Sequence, residues 1–79
     1  MLDRNELKRV MAAVLELDAA ALGDDASMDN LPGWDSLRQM NLVLALEDRF
    51  GVTIPDEDAA NATSYQLLAL VLEEQRAGR

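Results

Sequence analysis

The sequence predicts an all-α fold, a small four-helix bundle of three main helices and one short helix, with a long first loop. Three observations carry this expectation. Apolar residues recur at helical spacing in three separate stretches. Each stretch opens on residues able to cap a helix. The turn formers gather in one segment between the first two stretches. With 79 residues the chain has room for one domain, residues 1–79. A chain of this size buries only about 60% of the surface its unfolded form exposes, so a deep enclosed active site is not expected.

The first helix opens at Asp3, with Glu6 placed three residues on to complete a reciprocal capping box. Leu7, Val10, Met11, Val14 and Leu15 form one face, and the pattern runs out near Leu17 or Asp18. From Ala19 to Asp35 no helical period survives, because Gly23, Asp24, Asp25, Asn30, Pro32 and Gly33 break it. A loop of this length in a compact domain commonly has a function. Ala19-Ala20-Ala21-Leu22 is expected to form a helical turn within it, and Leu31 to anchor it to the core.

The second helix is expected from Asp35 or Ser36 to Phe50, closed by Gly51. Leu42, Leu46 and Phe50 share a face with Val43 beside them, while Leu37, Met40 and Leu44 form a neighbouring stripe. An apolar surface this wide exceeds one core contact, so the second stripe is a candidate docking surface. Val52-Thr53-Ile54-Pro55 reads as extended, since the residue before proline avoids the helical region. Asp56 to Asn61 reads as a short helix with acids in its first turn, where the dipole favours them. Thr63-Ser64-Tyr65-Gln66 reads as a capping box with Thr63 at the N-cap; Tyr65, Leu68, Ala69 and Leu72 then face the core, and the helix frays at Gly78.

Composition narrows the function. Acidic residues outnumber basic ones 15 to 7, a formal charge of −8, and the chain has no His and no Cys. Such a surface repels nucleic-acid phosphates and anionic lipid headgroups, so neither nucleic acid nor membrane is an expected partner. Without Cys there is no thiolate zinc site, disulfide or catalytic thiol, and without His the commonest general base is missing. The opening residues lack a signal-peptide pattern, and no apolar stretch is longer than Leu67 to Leu72, far short of the roughly 20 residues a bilayer needs. A cytoplasmic, monomeric, acidic domain is the expectation. Basic residues cluster at Arg4, Lys8 and Arg9, and acids dominate from Glu16 to Asp35 and again at Asp56-Glu57-Asp58. Such runs keep a surface solvated and also suit basic patches on larger proteins.

The segment with chemistry is Gly33-Trp34-Asp35-Ser36-Leu37. One reading is purely structural: Ser36-Leu37-Arg38-Gln39 fits a capping box, and Asp35 can cap equally well. The other needs Asp35 as the cap, leaving the Ser36 hydroxyl free on the first helical turn. A phosphate ester there would sit at the positive end of the helix dipole, with Leu37 and Met40 offering a grip to a modifying enzyme.

The wider sequence favours the second reading. Gly33 through Leu72 resembles the acyl carrier protein family, whose hallmark Asp-Ser-Leu is matched by Asp35-Ser36-Leu37. Leu42 through Phe50 resembles the family's second helix, Ile54-Pro55-Asp56-Glu57-Asp58 its Ile-Pro-Asp-Glu segment, and Thr63 to Gln66 the start of its final helix. The resemblance implies a noncatalytic carrier with 4′-phosphopantetheine, taken from coenzyme A, on Ser36. Asp35 would help a phosphopantetheinyl transferase hold its metal ion. The arm's thiol would carry an acyl or aminoacyl group as a thioester, which also makes sense of the missing Cys. The implied partners are that transferase, an acyl- or aminoacyl-activating ligase, and synthase or transferase enzymes with basic docking patches. Leu37, Met40, Glu47, Asp48, Asp56 and Trp34 are the candidate contacts. The bundle would open between its second and last helices to shelter an apolar chain.

Some positions depart from the fatty-acid branch. Arg38 and Asn41 stand where that branch usually has acids, so the partners are expected to differ. A Trp-Asp-Ser-Leu start looks more like discrete carriers of polyketide, peptide or specialised lipid pathways. Trp34 also reads as a loop-to-core anchor, and Met40 as a core residue. Two rivals fail: an enzyme lacks an acid–base pair, and Asp25-x-Ser27-x-Asp29 lacks the Gly and the twelfth-position Glu of a calcium loop. The surviving alternative is an unmodified acidic helical adaptor.

Overall fold

The structure, a computed structural model, describes residues 2–77. It is all-helical: α1 (Arg4–Leu15), a 3-10 turn (Ala19–Ala21), α2 (Ser36–Phe50), α3 (Asp56–Asn61) and α4 (Tyr65–Ala77). The expected end of the last helix at Gly78 lies outside the described residues.

Asp3 caps α1, its Oδ1 accepting the Asn5 and Glu6 N–H groups at 3.0 and 3.1 Å. The reciprocal half of the expected box does not form, because the Glu6 carboxylate pairs with Arg9 at 2.8 Å and with Arg49 of α2. The helix stops at Leu15, two or three residues early, where Glu16 turns left-handed at φ 58°. Arg38 secures that end: its guanidinium donates to the Val14 carbonyl at 2.7 Å and to Glu16 at 2.8 Å. α2 ends as expected at Gly51, whose φ of 65° suits a residue without Cβ.

The long loop is held at several points. Leu22, Ala26 and Trp34 are buried, whereas Leu31 is only half-buried, so Trp34 is the main anchor rather than Leu31. Ser27 and Ser64 form an isolated antiparallel bridge, through Met28 N–H to Thr63 O and Tyr65 N–H to Ala26 O, both 2.9 Å. That pairing keeps Thr63 and Ser64 extended, so the helix starts later than expected. Ser64, not Thr63, is the cap; its Oγ accepts the Leu67 N–H at 3.1 Å. Gln66 reaches the Asp24 carbonyl at 3.2 Å instead of closing a box.

The α1 face supplies Leu7, Met11 and Leu15 to the core, α2 supplies Leu42, Val43 and Leu46, and α4 supplies Tyr65, Leu68, Ala69 and Leu72. Each fully buried leucine contributes about 1.5–3 kcal/mol relative to exposure.

The Glu6 carboxyl is held below its usual value of 4.5, first by its hydrogen bond from Arg49 and then by Arg9. A lowered folded-state pKa contributes stability above the unfolded value, and that stability is lost as pH falls through the folded value. The thermal midpoint of the wild type should therefore exceed that of Glu6→Gln near neutrality, with the difference shrinking below pH 4.5. A pH series of melting curves reads this. A difference that grows in acid would refute it.

Candidate functional site

The site is built where the loop enters α2. Asp35 is the N-cap, its Oδ1 accepting the Arg38 N–H at 2.9 Å. Ser36 is therefore the first helical residue, and it is exposed. Among the described residues its hydroxyl has no hydrogen-bond partner. The Ser36–Gln39 box does not form, since the Gln39 side chain turns inward. The result is a free primary alcohol at a helix N-terminus, where unpaired N–H groups and the dipole favour an anion. Asp35 is exposed beside it.

Below Ser36, Leu37, Met40 and Leu44 lie 67%, 65% and 62% exposed, so Met40 belongs to the outward stripe and not to the core. Asp48 and Asp56 are exposed as well. Glu47 differs: it is half-buried and its Oε2 accepts the Ile54 N–H at 2.7 Å, which ties α2 to the segment leading into α3. Trp34 must be corrected as a partner contact. At 2% exposure it has no surface to offer, and its indole N–H donates to Gln39 Oε1 at 2.7 Å.

A cleft of about 540 Å³ adjoins the serine, lined by Ser36, Met40, Val43, Ile54, Asp56 and Ala59. It lies between α2 and α3. Among the described residues no group of three or more His, Cys, Asp or Glu could hold a metal ion. In the acidic loop, Ser27 Oγ accepts the Asp29 N–H and Asn30 Oδ1 accepts the Ser27 N–H, so these oxygens serve their own turn.

Two residues after the serine take roles that the sequence reading did not give them. Arg38 folds back onto α1, and Gln39 is the buried polar side chain of the core, also donating to the Ala59 and Ala62 carbonyls at 2.8 and 3.0 Å. A signal for Gln39 existed: position 39 continues the 42/43/46 core face by one turn.

Comparison with known proteins gives the class. The family described as "Phosphopantetheine attachment site" matches residues 5–72. Among solved structures, a solution NMR structure of the holo acyl carrier protein from Geobacter metallireducens is similar, with a TM-score of 0.83 and 23% identity. The match covers 98% of this chain and 88% of that one, and the helices follow the same fold. The family match, over residues 5–72, makes this a carrier domain rather than an enzyme. The chain belongs to the phosphopantetheine-attachment family, whose cofactor is covalently attached 4′-phosphopantetheine.

Proposed function

We propose that Ser36 is the attachment point and that the chain delivers acyl or aminoacyl intermediates, as thioesters, to enzymes of fatty-acid, polyketide or specialised lipid or peptide biosynthesis. The observation that carries this is the Ser36 hydroxyl: exposed, without a hydrogen-bond partner among the described residues, and at the first position of α2 because Asp35 has taken the cap. These residues fit the group: its phosphate would sit at the helix's positive end, and its apolar cargo would find the α2–α3 cleft alongside. When attached, the group supplies the thiol that a chain without Cys lacks.

Around it, Asp35 has a second carboxylate oxygen to offer the transferase's metal ion. Leu37 and Met40 supply apolar grip, and Asp48 and Asp56, with Glu47 at the edge, supply charge for basic patches. An activating ligase would load the holo form, which acts as a monomer in the cytoplasm. The test is an intact mass after incubation with coenzyme A, magnesium and a broad-specificity phosphopantetheinyl transferase. One added phosphopantetheine is expected. An unchanged mass with several transferases would favour the unmodified adaptor.

The stripe has its own test. Leu37→Asp should leave the fold intact, because the side chain is 67% exposed, yet weaken capture by the transferase about tenfold or more, as loss of a central apolar contact does. Equal binding of both proteins in a titration would remove Leu37 from the interface.

A further inference from the structure

α3 has six residues, its N-cap position is Pro55 with no side-chain hydrogen bond, and a helix this short does not hold itself together in water. Its C-terminal carbonyls need partners from elsewhere. Asp58 O receives the Ala62 N–H and Asn61 O the Thr63 N–H, while Ala59 O and Ala62 O receive the two N–H bonds of Gln39 Nε2. The Gln39 oxygen accepts from the Trp34 indole. The amide orientation is unambiguous, since an indole N–H only donates and a carbonyl only accepts. One side chain, three residues after Ser36, thus joins the loop, the first turn of α2 and the end of α3.

We infer that Gln39 is a positioning residue: a latch that holds α3 closed against α2 and so sets how readily the cleft beside Ser36 opens. Gln39 itself lines that cleft, with Ala59 and Ala60 of α3 on the facing side. Opening it by moving α3 breaks the two bonds to Ala59 and Ala62. The inference rests on the reading of Ser36 only for its use, namely admission of cargo attached there.

Amide hydrogen exchange on the full chain, with the Trp34 indole proton followed by NMR, tests it. Gln39→Met keeps the volume but removes all three bonds, whereas Gln39→Glu keeps an acceptor for Trp34 and leaves at most one O–H donor, when protonated, for the two α3 carbonyls. In both variants the Ala59 and Ala62 amides should exchange about tenfold faster or more, and with a weaker dependence on added urea than Leu42, Leu46 and Leu68, whose exchange reads global unfolding. The indole proton should lose its exchange protection in Gln39→Met and keep it in Gln39→Glu, a split that a packing role would not produce. Unchanged exchange at Ala59 and Ala62 in Gln39→Met would overturn the latch, as would a urea dependence at those amides equal to that of the core leucines. Failure of the wild type to accept phosphopantetheine would instead overturn the reading of Ser36 and leave the exchange contrast standing.

Discussion

Ser36→Ala is expected to abolish the gain of phosphopantetheine completely while leaving the fold as it was. The side chain is exposed and its hydroxyl has no hydrogen-bond partner among the described residues. Removing it therefore strands no buried group, and surface changes of this kind stay within about 0.5 kcal/mol. A thermal midpoint within about 4 °C of the wild type follows for a domain of this size. Other serines make poor substitutes: Ser27 Oγ accepts the Asp29 N–H, and Ser64 Oγ caps α4. Intact mass gives the readout and melting the control. Mass gain retained in the variant would mean that another residue accepts the group.

The largest stability effect is expected at Trp34. Trp34→Ala should cost about 3–5 kcal/mol, the usual range for a buried aromatic truncated to alanine. A domain of this length holds roughly 4–12 kcal/mol in total, so a large share of its stability would be lost and the midpoint would fall by about 12 °C or more. Trp34→Phe isolates the polar share. It keeps most of the packing but leaves the Gln39 oxygen unpaired, at about 1–3 kcal/mol. Urea titrations followed by far-ultraviolet circular dichroism separate the two. A near-neutral Trp34→Ala would mean that the indole is not the loop's anchor.

Most of the helical layout was legible because it depends on local rules. The spacing of Leu7, Met11 and Leu15, the Gly51 stop and the core face of α4 all follow from period and propensity, and all stand in the structure. The errors came where a distant partner overrides a local option. Glu6 prefers two arginines to its own cap, Thr63 yields to Ser64 because a strand-like pair with Ser27 holds it extended, and Gln39 leaves the capping box for the core. At the site, the exposed serine and the outward Leu37–Met40 stripe could be read from a helical wheel. The burial of Trp34 could not, since an aromatic before a helix serves equally as anchor or as contact until the opposite wall is known.

The departure at Arg38 also has a structural account. Its guanidinium is spent on the Val14 carbonyl and Glu16, so its charge is turned toward α1.

The tethered loop has one further consequence. Bridged at Ser27–Ser64 and pinned by Trp34, it surrendered its freedom when the chain folded. A visiting enzyme therefore meets a finished outline and has little entropy left to extract from it. The entropy of ordering this loop thus falls on folding and not on binding.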